Sequence, residues 1–207
     1  MSRLRVAVLI SGRGSNMESL AQACAAAGFP ASICVVVSNV AEAPGLDKAA
    51  SFGIPTAVVD HTKYESKADF EAELIRVLEE HGTELICLAG FMRVLSESFV
   101  GRYPNKILNI HPSLLPSFPG LNVQQKAIDY GVRYSGCTVH LVVPEVDAGP
   151  IILQAVVPIE RGDSEEALAR RILEQEHLIY PESVRLFAED RLRIEGRRVV
   201  IDDAGEI

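Results

Sequence analysis

The chain alternates short, unbroken apolar runs with stretches of helical period, and few architectures accept that order. Runs rich in β-branched residues recur at 4–10, 31–39, 56–60, 85–90 and 107–111. Between the first two, Met17, Leu20, Ala21 and Cys24 fall at i, i+3, i+4 and i+7, in a stretch ending near Gly28. Phe70, Leu74, Val77 and Leu78 repeat the pattern within residues 68–81, again followed by a glycine. Strands that are apolar throughout need cover on both faces. The order therefore predicts an α/β fold, a Rossmann-like and mostly parallel open sheet with helices on both faces.

After His111 the pattern changes. Residues 112–120 carry Pro112, Pro116 and Pro119 with little periodicity, and read as an ordered loop. Residues 137–143 and 151–159 predict two additional C-terminal strands joined through 144–150. Residues 164–179 predict a helix, with Pro181 breaking or kinking the chain beyond it. Residues 191–202 predict a small terminal hairpin around Gly196. No repeat or linker marks a boundary, so all 207 residues read as a single domain.

Composition narrows the function. With 48% hydrophobic and 23% charged residues, the chain can bury a core. Its longest apolar stretches are too short to span a bilayer. The start shows no signal-peptide cleavage pattern, which points to the cytoplasm. A net charge of -8 disfavours nucleic acid and anionic membranes as partners. One anionic small ligand remains compatible, because backbone N–H groups can bind it without net positive charge. Cys24, Cys34, Cys87 and Cys137 never form a C-x-x-C pair, which argues against a zinc site and a disulfide framework. Cys34 and Cys87 read as buried thiols.

Ser11-Gly12-Arg13-Gly14-Ser15-Asn16 follows the first strand and opens the first helix. Glycines there let the backbone approach an anion, and the helix N-terminus offers free N–H groups. The spacing is G-x-G-x-x-M, so the dinucleotide fingerprint is incomplete. Two readings stay open on spacing alone: a phosphate cradle, or a tight turn with Ser15 and Glu18 as a capping box.

Asn109 and His111 end the fifth run, and strand alternation puts them on one face. An amide can donate to a carbonyl oxygen that becomes an oxyanion, and an imidazole can hold or move a proton. The pair suits acyl or formyl transfer; its plain rival is a satisfied polar strand end stopped by Pro112. Of the other histidines, His61, His81 and His177 read as solvated, and His140 as structural or supporting. Asp147 lies in Val-Asp-Ala-Gly-Pro, a sequence any turn can use. Facing His111, its carboxylate would favour the imidazolium form.

The whole pattern resembles the folate-dependent formyltransferase family, and in particular its members that act on glycinamide ribonucleotide. The similarity runs over nearly the whole chain. It is carried by Ile10-Ser11-Gly12-Arg13-Gly14-Ser15-Asn16, by the run from Leu88 to Leu95 and by that from Leu108 to Pro116. Thr138-Val139-His140, the run from Asp147 to Ile152 and Gln175-Glu176-His177 add to it. The resemblance implies Asn109, His111 and Asp147 as the catalytic trio. It implies Gly14, Ser15 and Asn16 on the ribonucleotide phosphate, and Glu176 on the glycinamide. The folate would meet Lys67, Met92, Arg93, Val94 and Leu95, together with Asn109, Val143, Pro144, Glu145, Val146 and Asp147. An N-terminal half of about residues 1–100 would bind phosphate, and the rest would bind folate and carry the chemistry.

The implied reaction is direct transfer of the formyl group of 10-formyltetrahydrofolate to an amine in purine biosynthesis. That folate is a co-substrate; no tightly bound cofactor and no metal are implied. Monomer or weak homodimer is the expected state, with small-molecule substrates only. Departures lie at Asn122, Val123 and Gln124, where relatives often carry histidines, and at Lys67, where they often carry arginine. Rivals are a formyltetrahydrofolate hydrolase, a methionyl-tRNA formyltransferase and a non-catalytic folate or phosphosugar module. The tRNA enzyme normally adds a C-terminal domain and has Arg-Gly where this chain has Pro119-Gly120.

Overall fold

The computed structural model describes residues 2–202. The chain forms two compact units that divide after Leu108. The first holds β1 (Leu4–Ile10), α1 (Ser15–Ala25), β2 (Ala31–Ser38), α2 (Pro44–Ser51), β3 (Thr56–Val58), α3 (Lys67–Glu80), β4 (Leu85–Leu88) and α4 (Glu97–Arg102). Its strands run parallel in the order β3-β2-β1-β4. All four residues of β4 and the last five of β1 are buried, as continuous apolar strands covered on both faces must be. Met17, Leu20, Ala21 and Cys24 are the buried face of α1, and Phe70, Leu74, Val77 and Leu78 lie in that of α3. Ser66 and Ser96 cap α3 and α4, their hydroxyls accepting the N–H of Asp69 and Phe99.

β5 (Ile107–His111) leads from the first unit into the second. There follow α5 (Val123–Tyr130), β6 (Tyr134–Leu141), β7 (Ile151–Pro158), α6 (Glu165–Ala188), β8 (Leu192–Glu195) and β9 (Arg198–Ile201). β6 and β7 are antiparallel, β9 runs parallel to β7, and β8 and β9 form the expected hairpin. α6 packs on both β6 and β7. The class is thus α/β as predicted, mostly parallel with antiparallel strands toward the C-terminus.

Four local expectations need correction. α6 does not stop before Pro181 but runs on to Ala188. Proline cannot donate to the carbonyl four residues back, yet burial of Tyr180, Val184 and Leu186 holds the last turns, and the Ser183 hydroxyl donates to the Ile179 carbonyl. The short helices α2, α4 and α5 carry too few turns for an apolar period to repeat, and sequence reading missed them. The Ser15–Glu18 capping box does not form. Gly14 is the N-cap of α1 and no side chain caps it, while Glu18 pairs with Lys48 at 2.7 Å. His61 and His81 are bonded rather than merely solvated: Nδ1 lies 3.0 Å from the Asn39 carbonyl in one and 2.8 Å from the Val77 carbonyl in the other.

Candidate active site

In the first unit, the glycine loop turns from β1 into α1. Gly14 has φ of 67°, a left-handed conformation that favours glycine. A Cβ there would stand 2.8 Å from the Gly45 Cα, so backbone meets backbone at this point. Gly45, in the first turn of α2, donates its N–H to the Gly12 carbonyl at 3.0 Å, holding the loop from behind. Ser11, Gly14, Ser15, Asn16, Gly90 and Met92 line a pocket of about 270 Å³ at this turn. The first N–H groups of a helix have no partner within it, and Gly14 as N-cap brings no side chain to them.

The Ser11 hydroxyl accepts the Met92 N–H at 2.8 Å and donates to the Asn39 amide oxygen. The phosphate-loop candidates and the first folate candidate, Met92, therefore share one pocket wall. Met92, Arg93 and Val94 are exposed and Leu95 is buried. Lys67 opens α3 outside that lining, 3.9 Å from the Glu71 carboxylate. Sequence reading had not singled out Gly45 or Asn39; a bare glycine at the start of a short helix gives no periodic signal.

In the second unit, Asn109 and His111 project from β5 as i and i+2, and His111 is 5% exposed. Asp147 lies in the turn between β6 and β7 with φ of 53°, a conformation Asp adopts more readily than most residues. Its Oδ2 stands 3.5 Å from His111 Nδ1 and accepts the Gly120 N–H at 2.8 Å. His111 Nε2 donates to the Phe118 carbonyl at 3.0 Å, and the Ser113 hydroxyl donates to the Ser117 carbonyl at 2.6 Å with the Phe118 carbonyl 3.1 Å away. Thr138 fixes this proline-rich loop from β6: its hydroxyl donates to the Ser113 carbonyl at 2.7 Å and accepts the Leu115 N–H at 3.1 Å. The three residues of the predicted trio are thus brought together around His111 and His140.

The remaining candidates in this unit lie apart in kind. Pro144, Glu145 and Val146 are exposed on the β6–β7 turn and Val143 is half-buried beside them. Glu176 is buried on α6, close enough to Cys137 to raise its thiol electrostatically; with burial as the larger cause, that thiol is pushed up to about 12. Ser113 and Phe118 were missed as supports, since a hydroxyl and a carbonyl inside a proline-rich loop carry no spacing signature.

The formyl transferase family profile matches residues 4–184, and the chain belongs to that family. The phosphoribosylglycinamide formyltransferase of Escherichia coli (strain K12) is 40% identical over 199 residues, covering 96% of this chain and 94% of that one. The crystal structure of glycinamide ribonucleotide transformylase 1 from Symbiobacterium toebii superposes with a TM-score of 0.95 at 50% identity, over 97% of this chain and 95% of that one. The trifunctional purine biosynthetic protein adenosine-3 of Bos taurus is 49% identical over 192 residues. The chain spans only 19% of the length of that trifunctional relative.

Proposed function

We propose that this chain transfers the formyl group of 10-formyltetrahydrofolate to the amine of N1-(5-phospho-D-ribosyl)glycinamide, a step of purine biosynthesis. The observation that carries the chemistry is the geometry at His111. Nε2 donates to the Phe118 carbonyl at 3.0 Å, which leaves Nδ1 facing the Asp147 carboxylate at 3.5 Å, where an imidazolium would find its counter-charge. An imidazole backed by a carboxylate and a primary amide on one strand face suit a carbonyl oxygen that gains charge.

The glycinamide amine adds to the formyl carbon, and the carbon–oxygen double bond becomes an oxyanion. Asn109 donates to that oxygen, and an imidazolium at His111 stabilises its charge electrostatically, with Asp147 as counter-charge. Collapse restores the double bond and breaks the bond to the folate nitrogen, and a proton from the former amine ends on that nitrogen. Gly14, Ser15 and Asn16 receive the phosphate through backbone N–H groups and side-chain donors at the start of α1. In the first unit Met92, Arg93, Val94 and Leu95 contact the folate and Lys67 meets its charged end; in the second unit Val143, Pro144, Glu145 and Val146 contact it and Glu176 serves the glycinamide side. The first unit is the phosphate half and the second the catalytic half. The reading extends to a cytoplasmic monomer or weak homodimer without nucleic-acid or membrane partners. It is supported by the acidic charge and by the lack, among the described residues, of a helix long and apolar enough to cross a membrane.

The deciding assay offers purified protein and a 10-formyl folate with glycinamide ribonucleotide, with initiator methionyl-tRNA, or with water alone. Formylation of the ribonucleotide only is expected. Folate turnover at the same rate without the ribonucleotide would replace this reading with the hydrolase.

Gly14→Val probes the phosphate loop. Valine in a left-handed conformation carries roughly 1–3 kcal/mol of strain, and its Cβ meets the Gly45 Cα at 2.8 Å. The KM for ribonucleotide should rise at least about tenfold, with folate affinity nearly unchanged by calorimetry. Unchanged ribonucleotide affinity would place the phosphate elsewhere.

A further inference from the structure

His140 is a buried, polar and unassigned residue packed against the trio. It is 2% exposed on β6. Its Nδ1 lies 2.9 Å from the Leu141 carbonyl oxygen, and its Nε2 lies 3.2 Å from the Asn109 side-chain nitrogen. A carbonyl oxygen only accepts, so the contact at Nδ1 requires a proton there. Burial pushes the imidazole below its ordinary pKa, with the Leu141 carbonyl and Asp147 opposing and His111 adding to the depression, so the ring is neutral near pH 7. A neutral ring protonated on Nδ1 has a bare lone pair on Nε2. Asp147 Oδ1 at 3.8 Å is too distant to draw the proton to Nε2 against a carbonyl at 2.9 Å.

We infer that His140 is a positioning residue for the transfer reaction, whose bare Nε2 fixes which end of the Asn109 amide is the donor. Facing that lone pair, the amide must present nitrogen rather than oxygen. One N–H of Asn109 is then held by His140, and the second is set to donate to the oxyanion. With the amide reversed, Oδ1 would stand against the Nε2 lone pair, and the oxyanion would lose a donor. The consequence for rate rests on the formyl-transfer reading; the tautomer does not.

The tautomer is read directly by long-range proton–nitrogen correlation on 15N-histidine-labelled wild type. His140 is expected to show a protonated Nδ1 and an unprotonated Nε2, and a proton on Nε2 would overturn the inference. Kinetics test the role. His140→Phe should lower kcat about tenfold, the scale of one lost ordering hydrogen bond, with either KM changed less than about twofold. His140→Gln, whose amide oxygen can accept from Asn109, should recover most of that loss. In an Asn109→Ala background His140→Phe should change nothing more, whereas a second full tenfold loss would mean that His140 acts by another route. If His140→Phe fails to fold, the wild-type tautomer still decides. Wild type that transfers no formyl group while showing the expected tautomer would sink the reaction and leave the geometry standing.

Discussion

Asn109→Ala is expected to lower the single-turnover rate of formyl transfer by roughly 10²–10³, the scale for removing one oxyanion donor. The fold should stand. Asn109 is half-buried near the end of β5, and its side chain contributes one hydrogen bond, to His140 at 3.2 Å. Loss of that bond leaves the buried Nε2 without its donor, which costs about 1–3 kcal/mol. Rapid-quench kinetics and a melting curve on the same variant separate the two effects. The melting point should fall by a few degrees while the rate collapses. Turnover near wild type would remove Asn109 from the chemistry.

Gly149→Ala should be a severely damaging small substitution in the second unit. A Cβ at Gly149 would stand 1.7 Å from the Leu141 carbonyl oxygen and 2.8 Å from its carbon. Neither atom is free to retreat: Leu141 donates its N–H to Pro150 at 2.9 Å, and the same carbonyl holds His140 Nδ1. The methyl group must open the end of the β6–β7 pair. Overpacking of this kind costs about 1–3 kcal/mol, and backbone on both sides sets it at the upper end. Urea unfolding should show that loss together with a sharp fall in kcat, because the displaced turn carries Asp147. A Gly149→Ala variant with wild-type midpoint and rate would mean that the turn repacks freely.

Much of this was legible in the sequence, for physical reasons that differ from element to element. Continuous apolar strands and full helical periods announce themselves, so β1, β2, α1 and α3 follow from residue spacing. The i, i+2 spacing of Asn109 and His111 is likewise a local fact about a strand. Helices of eight residues or fewer do not repeat their period, and α2, α4 and α5 were invisible for that reason. Pro181 misled because a local rule was outweighed by burial along α6. Most of the site depends on distances between residues far apart in the chain. Asp147 meets His111 across 36 positions (147 − 111). Nothing in Val-Asp-Ala-Gly-Pro declares that meeting, and only the resemblance to a family pointed to it. His140 lay on a legible strand, but its role depends on which ring nitrogen meets the Leu141 carbonyl.

The Phe118 carbonyl accepts from His111 Nε2 at 3.0 Å, and a carbonyl oxygen has no proton to return. With Nε2 tied to an atom that can neither give nor take a proton, the imidazole has one open port, at Nδ1. A histidine that relays protons must load at one nitrogen and discharge at the other. This ring is a dead end for such traffic: whatever leaves Nδ1 has to return to Nδ1. In the reaction proposed above, proton transfer from the attacking amine to the departing folate nitrogen would therefore run alongside the ring rather than through it.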